Sequence, residues 1–272
     1  MRPTPPPLMI AGANSRVGRL LKGAGLPAAW AQRGPGADLD WPILDGPAPL
    51  TDWCARYGAP GALVVLAGVT PGQGAAIDDN RALGLAALQA ARAAGIGRVL
   101  LASSSAVYGR HRAEPWAEDA ACVPPSAYGQ AKLAMERACA GPGVTMLRIG
   151  NVAGADALLT NPRRPLLLDR FADGSGPVRS YIGPQTLARA LTALALAPAL
   201  PPVLNIGAPR PVDMSDLAQA AGLPVERRPA PPQAIARLTL SIDRLETLMS
   251  FADTDSSAQG LIAQWRACQE DR

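Results

Sequence analysis

Short, wholly apolar runs alternate along this chain with alanine-rich stretches of helical length, and that alternation leaves few folds open. Residues 8–13, 28–32, 62–67, 98–102 and 144–149 read as strands. Between them, residues 17–25, 50–57, 77–94 and 127–140 read as helices, with Gly25 and Gly95 closing the first and third. A strand that is apolar on every side chain has both faces covered, as in a parallel sheet packed between helices. Such strands alternating with helices predict right-handed βαβ units and a doubly wound α/β fold. Past Asn151 the pattern loosens around Arg163, Arg164 and Pro165. It resumes with a helix over 187–197, a strand over 203–206, and a helix over 213–221 capped by Asp213 or Ser215. Residues 224–232 read as a proline-rich connector. The expected division is a core over 1–150, to which 180–208 returns, and a smaller lobe built from 151–179 and 209–272.

Composition narrows the chemistry. A net charge of +4, spread along the chain, lacks the concentrated basic stripe of a nucleic-acid binder. The single histidine, His111, excludes clustered-histidine metal sites. A Ser-His-Asp hydrolase would have to run through His111 alone, and no G-x-S-x-G elbow is present around the candidate serines. The cysteines (Cys54, Cys122, Cys139, Cys268) show no C-x-x-C spacing, so they read as thiols of a reducing compartment. No leader-like apolar stretch opens the chain and no 18-residue apolar span interrupts it, so a cytoplasmic protein with no membrane partner is expected.

Two motifs carry the chemistry. The first runs Ala11-Gly12-Ala13-Asn14-Ser15-Arg16-Val17-Gly18, after the first strand and into the first helix. That is where a dinucleotide fingerprint sits. Gly12 permits the tight turn, Gly18 lets the helix approach the sheet, and free N–H groups at the helix start can hold a pyrophosphate. Ser15 stands where the fingerprint has its middle glycine, and its hydroxyl could itself donate to a phosphate. The second motif is Tyr128-x-x-x-Lys132 on a helix, with phenol and ammonium on one face. An adjacent ammonium stabilises phenolate and is expected to lower the tyrosine's pKa toward neutrality. Only two lysines, Lys22 and Lys132, occur against 24 arginines, which makes this pairing the more informative. Upstream, Ser103-Ser104-Ser105-Ala106-Val107-Tyr108-Gly109 follows a buried strand, at the carboxyl end where such sheets bind ligands.

Together with Leu66-Ala67-Gly68-Val69, Asn80, Leu147-Arg148-Ile149-Gly150-Asn151-Val152, Val178-Arg179-Ser180-Tyr181-Ile182 and Val203-Leu204-Asn205-Ile206-Gly207, these motifs resemble the extended short-chain dehydrogenases/reductases, the NAD(P)-dependent epimerase/dehydratase family. The resemblance runs from Leu8 to about Gly207 and implies a Rossmann-type sheet with a small carboxyl-terminal substrate lobe. It implies that Tyr128 is the general acid/base, that Lys132 lowers its pKa and holds the nicotinamide ribose, and that Ser104 binds the substrate oxygen. Leu66, Ala67, Gly68 and Asn80 should line the cofactor. Ser105, Asn151 and Arg179 match positions toward a nucleotide-sugar substrate, Arg179 on its pyrophosphate. The family's dehydratases carry Asp-Glu after the catalytic hydroxyl, and Ser105-Ala106 there argues against elimination. The implied activity is hydride transfer at a secondary alcohol or ketone. Epimerisation of a nucleotide sugar leads, a ketoreductase is the alternative, and a non-catalytic NADP-binding sensor or scaffold is a second one.

Cofactor choice turns on the end of the second strand. An acidic residue there would take the adenosine ribose hydroxyls and favour NAD. This chain has Gln32-Arg33, with Arg16 in the glycine turn, and two guanidinium groups near that ribose favour NADP. Asp40 and Trp41 are expected beside the adenine. The helices carrying Asn80 and Lys132 are rich in small residues, and the family resemblance implies a homodimer through them.

Overall fold

A computed structural model of the protein describes residues 5–70, 76, 79–110, 112–161 and 164–269. The first part is β1 (Leu8–Ala11), α1 (Arg16–Gly23), β2 (Ala29–Gln32), β3 (Leu39–Asp40), α2 (Ala48–Tyr57), β4 (Ala62–Val65), α3 (Asp79–Ala93), β5 (Val99–Ser104), α4 (Ala127–Cys139) and β6 (Val144–Ile149). The second is β7 (Asn151–Val152), α5 (Ala157–Thr160), β8 (Leu166–Arg170), β9 (Val178–Arg179), β10 (Tyr181–Ile182), α6 (Pro184–Leu196), β11 (Val203–Ile206) and β12 (Val212–Asp213). It continues with α7 (Met214–Ala220), β13 (Val225–Pro229), β14 (Arg237–Leu238), α8 (Asp243–Glu246) and α9 (Ala258–Ala267).

Seven strands form one parallel sheet in the order β11-β6-β5-β4-β1-β2-β3. The doubly wound fold expected from the apolar runs is therefore present, and the reason is visible residue by residue. Leu8 and Ile10 of β1 point into a core shared with α1 and α6. Met9 and Ala11 point the other way, into a core shared with α2, α3 and α4. The central strands β1, β4, β5 and β6 supply both cores, so a polar residue on either face is tolerated only with a buried partner. The strand order reverses between β1 and β4, and this switch point opens a crevice at the carboxyl ends of the strands.

A third, smaller core joins Leu158, Leu166, Tyr181, Leu217 and Leu261. Around it stand two short sheets, β12-β9-β14 and β13-β8, and the pair β10-β7. The proline-rich segment expected as a connector is in part a strand: β13 pairs in parallel with β8 over five residues. Pro229 sits at the last position of β13, so the missing N–H costs the ladder little. The stretch 209–272 is shared between two cores. Leu240, Ile242, Leu245 and Cys268 join the main core, whereas α7 and α9 pack on the lobe. Asp213, and not Ser215, caps α7 by accepting from Ser215 N at 2.6 Å.

Candidate functional site

At the switch point two loops are pressed together. The Leu66 and Ala67 N–H groups both donate to the Ala11 carbonyl, at 2.8 and 3.1 Å. Gly12 turns the chain with φ +98°, and a Cβ on it would lie 2.6 Å from Ala67 N. A Cβ on Gly18 would lie 2.5 Å from the Gly12 carbonyl oxygen, so α1 meets the turn backbone to backbone. Ser15 is the N-cap of α1: its hydroxyl accepts from Gly18 N at 3.0 Å. Its first duty is thus to the helix, and the hydroxyl hydrogen stays available to a ligand. Arg16 and Val17 open the helix, where N–H groups have no acceptor within it. On the loop after β4 a Cβ on Gly68 would lie 2.8 Å from Asn80 Oδ1 and 3.1 Å from Lys132 Nζ, so Gly68 packs directly against both side chains. Asn80 is buried and clasps the Val69 N–H and carbonyl at 3.1 and 3.0 Å, which holds the turn after β4 in shape. The tight glycine turn and the anion-ready helix start fit a dinucleotide's pyrophosphate.

The catalytic candidates meet at the end of β5. Ser104 caps the 3₁₀ turn over Ser105–Val107, accepting from Ala106 N at 3.2 Å. Ser126 caps α4 in the same way through Gly129 N at 3.1 Å. Gly129 is a residue the sequence reading passed over. A Cβ there would lie 2.1 Å from the Ala106 carbonyl oxygen, so its bare backbone lets α4 rest on the turn that carries Ser104. Tyr128 is thereby brought to Ser104. Burial raises the phenol's pKa, and the hydrogen bond with the Ser104 hydroxyl pulls it partly back. Lys132, one turn on, donates to the Ala102 carbonyl at 2.9 Å rather than to the phenol. The expected fall of the Tyr128 pKa toward neutrality is accordingly replaced by a rise, because burial outweighs the polar contact. Lys132 itself is pulled down to about 8 by burial, with Glu136 opposing.

Beneath these residues lies a buried polar network the sequence reading did not anticipate. Arg148 of β6 grips Glu136 of α4, Nη2 to Oε2 at 2.8 Å and Nε to Oε1 at 3.1 Å, with both side chains buried. Ser103 donates to Glu136 Oε1 at 2.5 Å. Arg148 Nη1 also donates to the Tyr108 hydroxyl at 3.0 Å, and that hydroxyl donates to Asn205 Oδ1 at 2.7 Å. Asn205 N donates to Glu118 Oε1 at 3.1 Å. The only advance signal was a set of polar residues (Glu136, Arg148, Asn205) within otherwise apolar elements.

Other candidates fall elsewhere. Trp41 is only 1% exposed, and its indole donates to the Gly46 carbonyl at 3.1 Å; it is a core residue and not a platform for adenine. Asp40 shapes the loop after β2 by accepting from Gly34 N at 2.7 Å. Arg16 and Arg33 are both exposed. Ser105 is buried within the 3₁₀ turn. Asn151 hydrogen bonds the Tyr181 phenol, which also donates to Asp156 Oδ2 at 2.8 Å. Arg179 spends its guanidinium on backbone carbonyls: Val178 and Ile235, both at 2.8 Å, and Ala236 at 3.3 Å. It fastens the segment before β14 and is not held out toward the crevice. His111 lies outside the described residues.

Comparison with known proteins agrees with this arrangement. A UDP-glucose 4-epimerase of Azospirillum brasilense is 40% identical over 84 residues, a match that covers 29% of this chain and 24% of that protein's length. The fold is that of UDP-glucose-4-epimerase from Stenotrophomonas maltophila, solved with NAD and formylated UDP-arabinopyranose (TM-score 0.76, 20% identity, 97% of this chain and 99% of that one). It is equally that of TunA, an NAD-dependent NDP-hexosamine 5,6-dehydratase (TM-score 0.73, 21% identity, 97% and 98%). At such identities the likeness is one of fold. The family itself is shown by a model that matches residues 42–186, more than half of the chain, a span that holds Gly68, Asn80, Ser104, Tyr128 and Lys132. On that match, this chain belongs to the NAD dependent epimerase/dehydratase family.

Proposed function

We propose that the protein transfers hydride between a nicotinamide dinucleotide and a secondary alcohol or ketone, and that the reaction is the epimerisation of a nucleotide sugar. The observation that carries this reading is the meeting of Ser104 and Tyr128 at the end of β5, with Lys132 one turn on and its ammonium against Gly68 at the switch point. When bound there, the nicotinamide supplies a hydride acceptor and donor. Gly12, Gly18 and the first turn of α1 would hold its pyrophosphate, with Asn14, Ser15, Arg16 and Val17 around it. Leu66, Ala67 and Gly68 would wall its nicotinamide side, and Lys132 would reach its ribose. Ser104 positions the substrate oxygen. To act as the base Tyr128 must first lose its own proton, a change that the positive ring of an oxidised nicotinamide bound nearby would favour; its Oη then takes the hydroxyl proton as the carbinol C–H bond breaks, and returns it when the carbonyl is reduced on its other face. Ser105 and Ala106 offer no carboxylate to draw off a proton for elimination, which speaks against dehydration.

Tyr128→Phe tests the assignment. Turnover should fall by at least about 10³-fold, while the affinity for nicotinamide cofactor, read by fluorescence titration, stays near wild type. Full activity in the variant would end the proposal. Exposed Arg16 and Arg33, with the Asp40 carboxylate beside the end of β2 spent on Gly34 N, support NADP over NAD. Fluorescence titration should therefore show tighter binding of NADPH than of NADH, and the reverse order would refute the preference.

Arg179, tied to carbonyls, favours one further reading: a ketoreductase on a smaller carbonyl compound, which needs no pyrophosphate clamp. Purified protein carrying stoichiometric nicotinamide favours the epimerase, since an epimerase regains its cofactor in each cycle.

A further inference from the structure

We propose that Glu136 is a positioning residue of this site: its buried carboxylate, pinned from below by Arg148 and Ser103, is the counter-charge that keeps the Lys132 ammonium poised over Gly68. The inference rests on the hydride-transfer reading for its purpose, though not for its test. Lys132 and Glu136 are four residues apart on α4 and share one helix face, and both are buried. A buried ammonium needs an opposite charge, since burial alone disfavours the charged form. Glu136 is also spatially fixed. Arg148 holds both of its oxygens, Oε1 at 3.1 Å and Oε2 at 2.8 Å, and Ser103 donates to Oε1 at 2.5 Å. Arg148 is engaged in turn by the Tyr108 hydroxyl and the Glu118 carbonyl, both at 3.0 Å, so the carboxylate cannot swing away from the helix.

Other elements around α4 bring few competing charges. The adjoining end of α3 carries Asp79 and Arg81, β5 brings only the Ser103 and Ser104 hydroxyls, and the turn after it brings Tyr108. Tyr128 lies on α4 itself, Arg148 on β6, and Glu118 behind Asn205. Of these, Glu136 is the group that raises the Lys132 pKa against burial.

The chain has only two lysines, which makes a direct test practical. Protein labelled with ¹³C-lysine should give two side-chain signals, and Lys22→Arg assigns them; Lys22 sits over the Trp30 ring, away from the crevice. In wild type the Lys132 signal should titrate near 8. In Glu136→Gln the Lys132 midpoint should fall by about one further pH unit. Affinity for nicotinamide cofactor at pH 8 should fall with it, and should recover at lower pH as the ammonium re-forms. Should the single variant fail to fold with Arg148 left uncompensated, Glu136→Gln combined with Arg148→Gln should still lower the Lys132 midpoint, by less than the single variant, because the repulsion from Arg148 is lost together with the attraction of Glu136. A Lys132 midpoint that stays at the wild-type value, or rises, in the folded variant overturns the proposal. Because the titration reads Lys132 itself, it stands or falls apart from Tyr128→Phe, which tests the reaction.

Discussion

The crevice depends on atoms that are missing as much as on those present. Gly12, Gly18 and Gly129 each allow one piece of backbone to touch another, and a single methyl at any of them would meet a main-chain atom within 2.6 Å. Gly129 is the most telling of the three, because what it brings together is Ser104 and Tyr128. Gly129→Ala should lift α4 off the Ala106 carbonyl, destabilise the protein by about 1–3 kcal/mol and cost about 10²-fold in turnover through misplacement of the phenol. Thermal melts and steady-state rates check both parts; an alanine variant with wild-type kcat would mean that close packing of α4 is irrelevant to the chemistry. The glycine turn and the Tyr-x-x-x-Lys spacing were readable in advance, because they are local. That Lys132 turns to the Ala102 carbonyl, that the Tyr128 pKa rises, and that Trp41 belongs to the core were not. Each depends on what lies across the packing interface.

Among the elements, α9 shows how a piece distant in sequence is locked to the sheet layer. Asp255, just before it, accepts from the Thr186 hydroxyl at 2.7 Å and from Arg189 Nη2 at 2.6 Å, both on α6. Gln264 of α9 accepts from Thr186 N at 3.0 Å. Burial pushes the Asp255 carboxyl up, but Thr186, the Ala252 N–H and Arg189 outweigh it, so its pKa lies below the ordinary value. A carboxylate lowered on folding contributes stability above its unfolded pKa of about 3.9 and loses it as pH falls through the lower folded value. Asp255→Asn should therefore lower the Tm at pH 7, by the equivalent of about 1–3 kcal/mol, and the gap to wild type should close below about pH 4. A gap that stays constant from pH 7 to pH 3 would show that the charge is not what holds this clip. Strand β13 teaches a related lesson. Its Val-Glu-Arg-Arg-Pro sequence has no apolar alternation, and only the partner β8, nearly sixty residues earlier, makes it a strand.

For the molecule as a whole, the outer faces of α3 and α4 are the surface on which we place the proposed homodimer. The two helices pack on each other where Gly84 leaves room for Met135 and Cys139, and Leu85 on α3 remains 41% exposed. Light scattering should give twice the 28.1 kDa mass of one chain, and Leu85→Glu should return it to one; a wild-type species of single mass removes the dimer. The main sheet, its helices and the glycine turn between β1 and α1 were legible in the sequence by itself. A strand buried on both faces is apolar except where a buried partner meets a polar side chain, and a turn that admits a pyrophosphate must shed its side chains, so both leave marks within a dozen residues. The pairing of β13 with β8, the sharing of 209–272 between two cores and the charge network around Glu136 were decided by tertiary structure alone. Glu136, Arg148, Ser103 and Asn205 lie on four separate elements, and a buried charge becomes tolerable only when its partners arrive from distant parts of the chain.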